Sequence, residues 1–295
     1  MESLQSLHRM PDRYQGSNIF TERDISEHGR YVSEEEYWEK YYHHPDFSYE
    51  WNNGYLEEKP MTDFKGSEVY QWFLVLLRQF LKEFPIAKMI GLEFGFRLAL
   101  SRKRKSVRKP DLAIVLNDNP VMLHPDDQSY KGTFDICIES LSYSKPKEIR
   151  RDTVEKKKEY ESVSVREYYI LDARMKKTAF YRLDEKGKYR EICLTDGDVI
   201  CSEVLPGFRF RISDLYRQPS LEEMTDDDLY NSFILPFHQK VKQKAELAEQ
   251  LAASEWQRAE AAEQLAASER QRAEQAEMKA ARLEQKLREL GISLE

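Results

Sequence analysis

A mixed α/β domain, a strand-rich sheet flanked by helices and followed by a long C-terminal helix, is the fold class this sequence predicts. Three observations carry that expectation. Acidic residues punctuate short apolar, strand-like runs, Asp111 just before Leu112–Leu116 and Glu139 among Ile136, Ile138 and Leu141. Apolar residues recur at helical spacing between Val69 and Phe84, with Phe73, Leu76, Leu77, Phe80 and Leu81 on one broad face. Residues 248–261 are repeated as residues 262–275, differing only at Trp256/Arg270 and Ala261/Gln275.

Residues 1–30 are polar and aperiodic and predict a loose arm. Ser33-Glu-Glu-Glu36 reads as a capping box that opens a short helix through Tyr37, Trp38 and Tyr41, closed by Pro45. Asn53-Gly54 marks a tight hairpin between two strands. After the Val69–Phe84 helix, a strand pair is expected around Ile90 to Leu100, leading through a basic run into the strand after Pro110. Residues from about Lys147 to Ser162 predict a helix, Glu167–Asp172 a buried strand, and Thr178–Arg182 with Tyr189–Cys193 a hairpin across Asp184–Gly187. Neither GxGxxG nor GxxxxGK[ST] occurs among the 11 glycines, which excludes the common nucleotide-binding loops.

The tail is a separate object. Its fourteen-residue period is two heptads, and a seam from Ala245, Ala248, Ala252 and Glu255 to Leu283, Leu287 and Leu290 is mostly alanine. Alanine permits close approach but buries little area, so each heptad stabilises association weakly. A coiled coil that dimerises the protein and a lone charged helix are both open; Gly291 is the expected stop.

Aromatic residues, 17 Tyr, 14 Phe and 4 Trp, fall almost entirely before residue 240, enough for one sizeable core there. A formal net charge of −7 argues against a generic nucleic-acid coat protein, so any such contact must be local. No basic-then-apolar start and no run near the ~20 apolar residues of a membrane helix is present, which predicts a protein with no membrane partner. Cys137, Cys193 and Cys201 form no CxxC spacing, which suits a cytoplasmic location and argues against structural zinc.

A carboxylate inside an apolar strand is costly unless it is paired or holds a metal. Asp111 and Glu139, at neighbouring strand ends, make a cradle for a hard divalent ion. Cations flank both: Arg102, Lys103, Arg104, Lys105, Arg108 and Lys109 before the first acid, and Lys145, Lys147, Arg150, Arg151 and Lys156–Lys158 after the second. That layout fits a phosphodiester backbone lying over bound metal, with Arg102, Lys103, Arg104 and Lys105 as the candidate nucleic-acid contacts. The same run also reads as a solvated hairpin tip.

Six motifs in order resemble the Uma-type family: Tyr49-Glu50 with Asn53-Gly54, Arg108-Lys-Pro-Asp111, Ile138-Glu139-Ser-Leu-Ser142, Asp152 with Lys156 and Tyr160, Val165-Arg-Glu-Tyr168 ending in Asp172, and Leu205-Pro-Gly-Phe208. The family is grouped with the PD-(D/E)xK, or restriction-endonuclease-like, superfamily. The resemblance implies a restriction-endonuclease-like domain over 31–216; residues 217–244 then read as a linker and 245–291 as the Ala-rich coiled coil. It implies a metal-dependent endonuclease acting on DNA, with Asp111 and Glu139 binding Mg²⁺ or Mn²⁺. The superfamily's lysine two residues after the second acid is here Leu141, and the lysine matching the family is Lys156. Asp152, Lys156 and Tyr160 share one helix stripe by their i, i+4, i+8 spacing. Glu50 and Asp152 are candidate additional site residues. The alternative is a non-catalytic nucleic-acid-binding or assembly protein on a nuclease fold, oligomerised with itself or with a partner helix through the tail.

Overall fold

The computed structural model describes residues 25–91 and 93–289. The chain forms two compact units, one from the described part of residues 1–71 with 86–193, the other from residues 72–85 with the described part of 194–295. Most of the expected N-terminal arm, 1–30, and the expected stop at Gly291 lie outside the described residues.

The first unit begins with α1 (Glu34–Glu36), where the Ser33 hydroxyl accepts from the Glu36 amide at 3.0 Å. A π-helical turn, Tyr37–Tyr41, continues it and buries Tyr37 and Tyr41. The hairpin of β1 (Tyr49–Asn52) and β2 (Tyr55–Glu58) turns at Asn53 and Gly54, both at positive φ. A Cβ on Gly54 would lie 2.3 Å from the Tyr31 ring, so glycine serves both the turn and the close approach. Helix α2 (Phe64–Glu83) contributes its residues as far as Gln71 to this unit. Then come β3 (Ala87–Ile90), β4 (Phe96–Ala99), β5 (Lys105–Arg108), β6 (Leu112–Leu116) and β7 (Ile136–Ser140). A helical crossover follows: α3 (Pro146–Arg150), a π-helical stretch Arg151–Lys156, and α4 (Lys157–Ser162). The unit ends with β8 (Glu167–Leu171), β9 (Ala179–Leu183) and β10 (Tyr189–Glu191).

These strands make two sheets, a four-stranded one ordered β2-β1-β5-β4 and a six-stranded one ordered β10-β9-β8-β7-β6-β3. Strands β7 and β8 pair in parallel, as the helical crossover between them requires, and every other described pair is antiparallel. All five residues of β8 are buried, which is why Tyr168–Leu171 run without polar alternation, while the buried Glu167 pairs with Arg182 at 2.9 Å. The strand pair expected around Ile90 to Leu100 does not form. Strand β3 joins β6 in the larger sheet and β4 joins β5 in the smaller, so the two segments separate. The end of the basic run is itself strand β5, whose Ser106, Val107 and Arg108 are buried.

The second unit holds residues 72–83 of α2, the hairpin of β11 (Val199–Cys201) and β12 (Arg209–Arg211), α5 (Asp214–Arg217), α6 (Leu221–Thr225) and α7 (Asn231–Glu289). Its core is aromatic, with the Phe73 ring 5.2 Å from Phe210 and the Phe80 ring 5.2 Å from Phe208 and 5.5 Å from Phe233. Residues 217–244, expected as a linker, carry α6 and the first turns of α7, with Met224, Tyr230, Phe233 and Ile234 buried. The long C-terminal helix is present, and Leu251, Trp256, Leu265 and Leu283 stand exposed on it. No helix among the described residues is long and apolar enough to cross a membrane.

Candidate active site

Two sheets and one helix deliver the site. Strand β1 brings Glu50, the end of β5 brings Arg108, the loop before β6 brings Asp111, β7 brings Glu139, and the π-helical stretch brings Asp152 and Lys156. Strand alternation sets Cys137, Glu139 and Leu141 on one face, and Cys137 and Leu141 lie in the apolar cluster that includes Tyr160, Tyr168 and Ile170. A lysine at 141 would point its ammonium into that cluster. Lys156 instead reaches the carboxylate from the helix, the extra residue of a π turn being a common way to re-aim a side chain.

Lys156 Nζ lies 2.9 Å from Glu139 Oε1, 3.0 Å from Glu50 Oε1 and 3.4 Å from Asp152 Oδ1, with its side chain 1% exposed. The Tyr160 hydroxyl donates to the same Glu139 oxygen at 2.7 Å. Asp111 stands beside them: its Oδ2 accepts from the Ser140 amide at 2.8 Å, one residue after Glu139, and its Oδ1 pairs with Lys59 Nζ at 2.9 Å. Five of the expected site residues, Glu50, Asp111, Glu139, Asp152 and Lys156, therefore share one neighbourhood.

Acids exceed ammonium groups there, and the protons respond. Burial, with the charges of Asp111, Asp152 and Glu50, pushes the Glu139 carboxyl up to about 8 against the pull of Lys156. Burial also raises Glu50, but Lys156 and Arg108 outweigh it and hold that carboxyl well below the usual range. At Asp111, burial is outweighed by Lys59 and Lys156, so its carboxyl is lowered. Burial disfavours the Lys156 ammonium, yet Glu139, Glu50 and Asp152 raise it further above its ordinary value. Of Glu50, Asp111 and Glu139, only the Glu139 carboxyl is raised.

Beneath this cluster lies a hub that sequence reasoning misread. Arg108, Lys109, Arg151 and Lys156 were expected among cations facing a phosphate backbone, and all four are buried. Arg108 binds Glu159 through Nε at 2.6 Å and Nη2 at 3.1 Å, and its Nη1 meets Glu50 at 3.0 Å and Glu57 at 2.5 Å. Arg108 is thereby enclosed by internal carboxylates, Lys109 answers Glu93 and the Tyr42 carbonyl, and Arg151 answers Asp152 and the Glu58 carbonyl. Lys59 carries no sequence signal of its role, because its partner Asp111 lies 52 residues further along the chain and Glu57 and Glu58 beside it make it read as an ordinary surface charge. Of the basic run, Arg102, Lys103 and Arg104 lie in the β4–β5 turn and Lys105 opens β5. There Arg104 pairs with Glu159 at 3.0 Å and Lys105 with Glu34 at 3.6 Å, while Arg102 and Lys103 are exposed. Lys157 lies over the Tyr181 ring at 3.5 Å, away from the site.

The Uma2 family, described as "Putative restriction endonuclease", matches residues 34–213. The chain belongs to this family. The Uma2 match takes in α1 through β12 and every site residue above, and it leaves α7 outside. A solved structure described as a "putative nuclease belonging to DUF820" from Anabaena variabilis is 15% identical, covers 58% of this chain and 90% of its own, and has a TM-score of 0.44. No curated protein matches the chain.

In donor chemistry, Asp111 and Glu139 fit a hard divalent ion: both are carboxylates, one oriented by a backbone amide and the other by a tyrosine hydroxyl. Among the described residues, no group of three or more His, Cys, Asp or Glu is arranged to hold a metal. Each candidate ligand is instead met by an ammonium, Asp111 by Lys59 and Glu139 by Lys156.

Proposed function

We propose that this Uma2 chain is a metal-dependent endonuclease that hydrolyses DNA phosphodiester bonds at Asp111, Glu139 and Lys156. The observation that supports it most is the Asp111–Ser140 amide bond at 2.8 Å, which ties the first acid to the strand carrying the second. Family membership supports the nuclease class. Asp111 and Glu139 would hold Mg²⁺ or Mn²⁺, with Glu50 and Asp152 as candidate further ligands. The bound ion supplies Lewis acidity, lowering the pKa of water and offsetting charge on the phosphate.

The protein's own groups have distinct tasks. Tyr160 and the Ser140 amide orient the two acids. Lys156 keeps Glu50, Asp152 and Glu139 gathered and sets a positive charge beside the phosphate, where it counts most as negative charge builds in the transition state. In the reaction, a water oxygen bonds to phosphorus as one P–O ester bond breaks. The water's proton passes to solvent and the leaving oxygen takes one up. Arg102, Lys103, Arg104 and Lys105 at the β4–β5 turn are the candidate outer contacts to DNA, and residues 245–289 the candidate surface for self-association or for a partner helix.

Calorimetry of Mn²⁺ binding alongside cleavage of a labelled duplex tests this reading. Glu139→Ala should remove metal binding and cleavage together, and Lys156→Ala should keep metal affinity but slow cleavage by about 10²-fold or more. Cleavage that survives Glu139→Ala overturns the assignment. One observation favours a second reading, a non-catalytic nucleic-acid-binding or assembly protein: both acids are already neutralised by lysines. A wild-type chain that binds no metal would leave that reading standing.

A further inference from the structure

Beside the buried acids, within the first unit, a cavity of about 350 Å³ opens to solvent, in the size range of small-ligand clefts. Lys59, Lys145, Lys147, Arg151 and His28 line it. The acids in its wall are already engaged: Glu57 by Arg108, Glu58 by the Ser26 hydroxyl at 2.5 Å, and Glu148 by the Lys145 amide at 3.0 Å, while Glu155 stands 3.9 Å from Arg150. Lys147 Nζ has His28 Nε2 at 3.2 Å and no carboxylate partner among the described residues. Burial, and then the Lys147 charge, lower the His28 imidazole against the opposing pull of Glu57 and Glu58.

The two lysines nearest the acids differ in what they have left to offer. An ammonium has three N–H donors. Lys156 is enclosed by three carboxylates. Lys59 pairs with Asp111 at 2.9 Å and donates to the Lys109 carbonyl at 2.7 Å, which leaves one donor without a partner among the described residues, on a side chain that lines the open cavity.

We propose that this cavity receives the DNA backbone, with Lys59 Nζ contacting the phosphate to be cut and Lys147 and Lys145 contacting the phosphates beside it. This rests on the nuclease reading and adds to it the path of the strand and a second lysine. It places the principal backbone contact at the cavity and makes Arg102 and Lys103 subsidiary. Lys59 keeps Asp111 neutralised until substrate arrives, and Lys156 keeps Glu50, Glu139 and Asp152 gathered.

Two measurements on the full-length chain test it, one of them independent of cleavage. Anisotropy of a labelled random-sequence duplex in metal-free buffer should show Lys147→Glu weakening affinity by about tenfold and lowering the slope of log affinity against log salt by about one. Lys103→Ala should lose less. Single-turnover cleavage in Mn²⁺ should fall about 10²-fold in Lys59→Ala at saturating DNA, with Mn²⁺ affinity retained and part of the rate restored by Lys59→Arg. Wild-type affinity in Lys147→Glu, a greater loss in Lys103→Ala, or undiminished cleavage in Lys59→Ala overturns the proposal. If Lys59→Ala fails to fold, the Lys147→Glu binding arm decides alone. A wild-type chain that binds DNA through Lys147 but cuts nothing sinks the nuclease reading and keeps the cavity as the binding surface. Cleavage lost in Glu139→Ala, with DNA binding indifferent to Lys147, does the reverse.

Discussion

Arg108 and Arg258 carry the same guanidinium, yet one is sealed inside the first unit against three carboxylates and the other stands in solvent on α7. Around Arg108, each charge was taken out of water and had to find a partner, so Glu50, Glu57, Glu159, Lys156 and Asp152 interlock. Along α7, charges keep their hydration, and alanine's helix propensity holds the backbone. Charge therefore specifies structure only where it is desolvated, and a substitution at one place should cost many times what it costs at the other.

The largest effect is expected at the hub. Arg108→Met removes the shared partner of Glu50, Glu57 and Glu159, and should lower stability by about 3–5 kcal/mol in a denaturant titration. A loss under about 1 kcal/mol would mean that the buried network is replaceable and would break the contrast.

Next comes the pH response of Glu139 in metal-free buffer. Its carboxyl is raised from an ordinary 4.5 to about 8, so the folded chain holds a proton that the unfolded chain releases. That contribution is whole below about pH 4.5 and is lost as pH climbs through about 8. Glu139→Gln, which mimics the protonated group, should flatten this decline and be more stable than the parent at alkaline pH. Melting curves from pH 5 to pH 9 with equal slopes in both proteins would remove Glu139 as the cause.

Ending the chain after Lys244 should cost much less. Leu247, Leu251, Trp256, Leu265 and Leu283 are exposed, so the main melting transition should move by less than about 2 °C while the helical circular-dichroism signal falls. A larger shift at micromolar protein, or one that grows with concentration, would show that α7 is buried against another chain. The smallest effect belongs to the exposed Lys40–Glu36 pair, 3.5 Å apart: Lys40→Ala should change stability by under about 0.5 kcal/mol.

The helix over α2, the hairpin at Asn53-Gly54 and the long tail were legible because each is written in local pattern: helical period, turn chemistry and a repeat. Strand β5 was not, because a basic run reads as solvated loop until a buried acid is found for each cation. Strands β3 and β4 looked like partners through sequence nearness, and the antiparallel demands of β6 and β5 drew them into different sheets.

By itself the sequence determined that Asp111 and Glu139, acids set in apolar segments, must each find a counter-charge or an ion, since an unpaired buried carboxylate is too costly to persist. It also determined that Asp152, Lys156 and Tyr160 share a helix face, because that spacing is a property of the local backbone. Only the tertiary structure decided which cation answers which acid: Lys59 to Asp111, Lys156 to Glu139 and Glu50, Arg108 to Glu50, Glu57 and Glu159. Those pairings join residues from separate strands and helices, and the distances that choose among them exist only once both sheets and the crossover are in place.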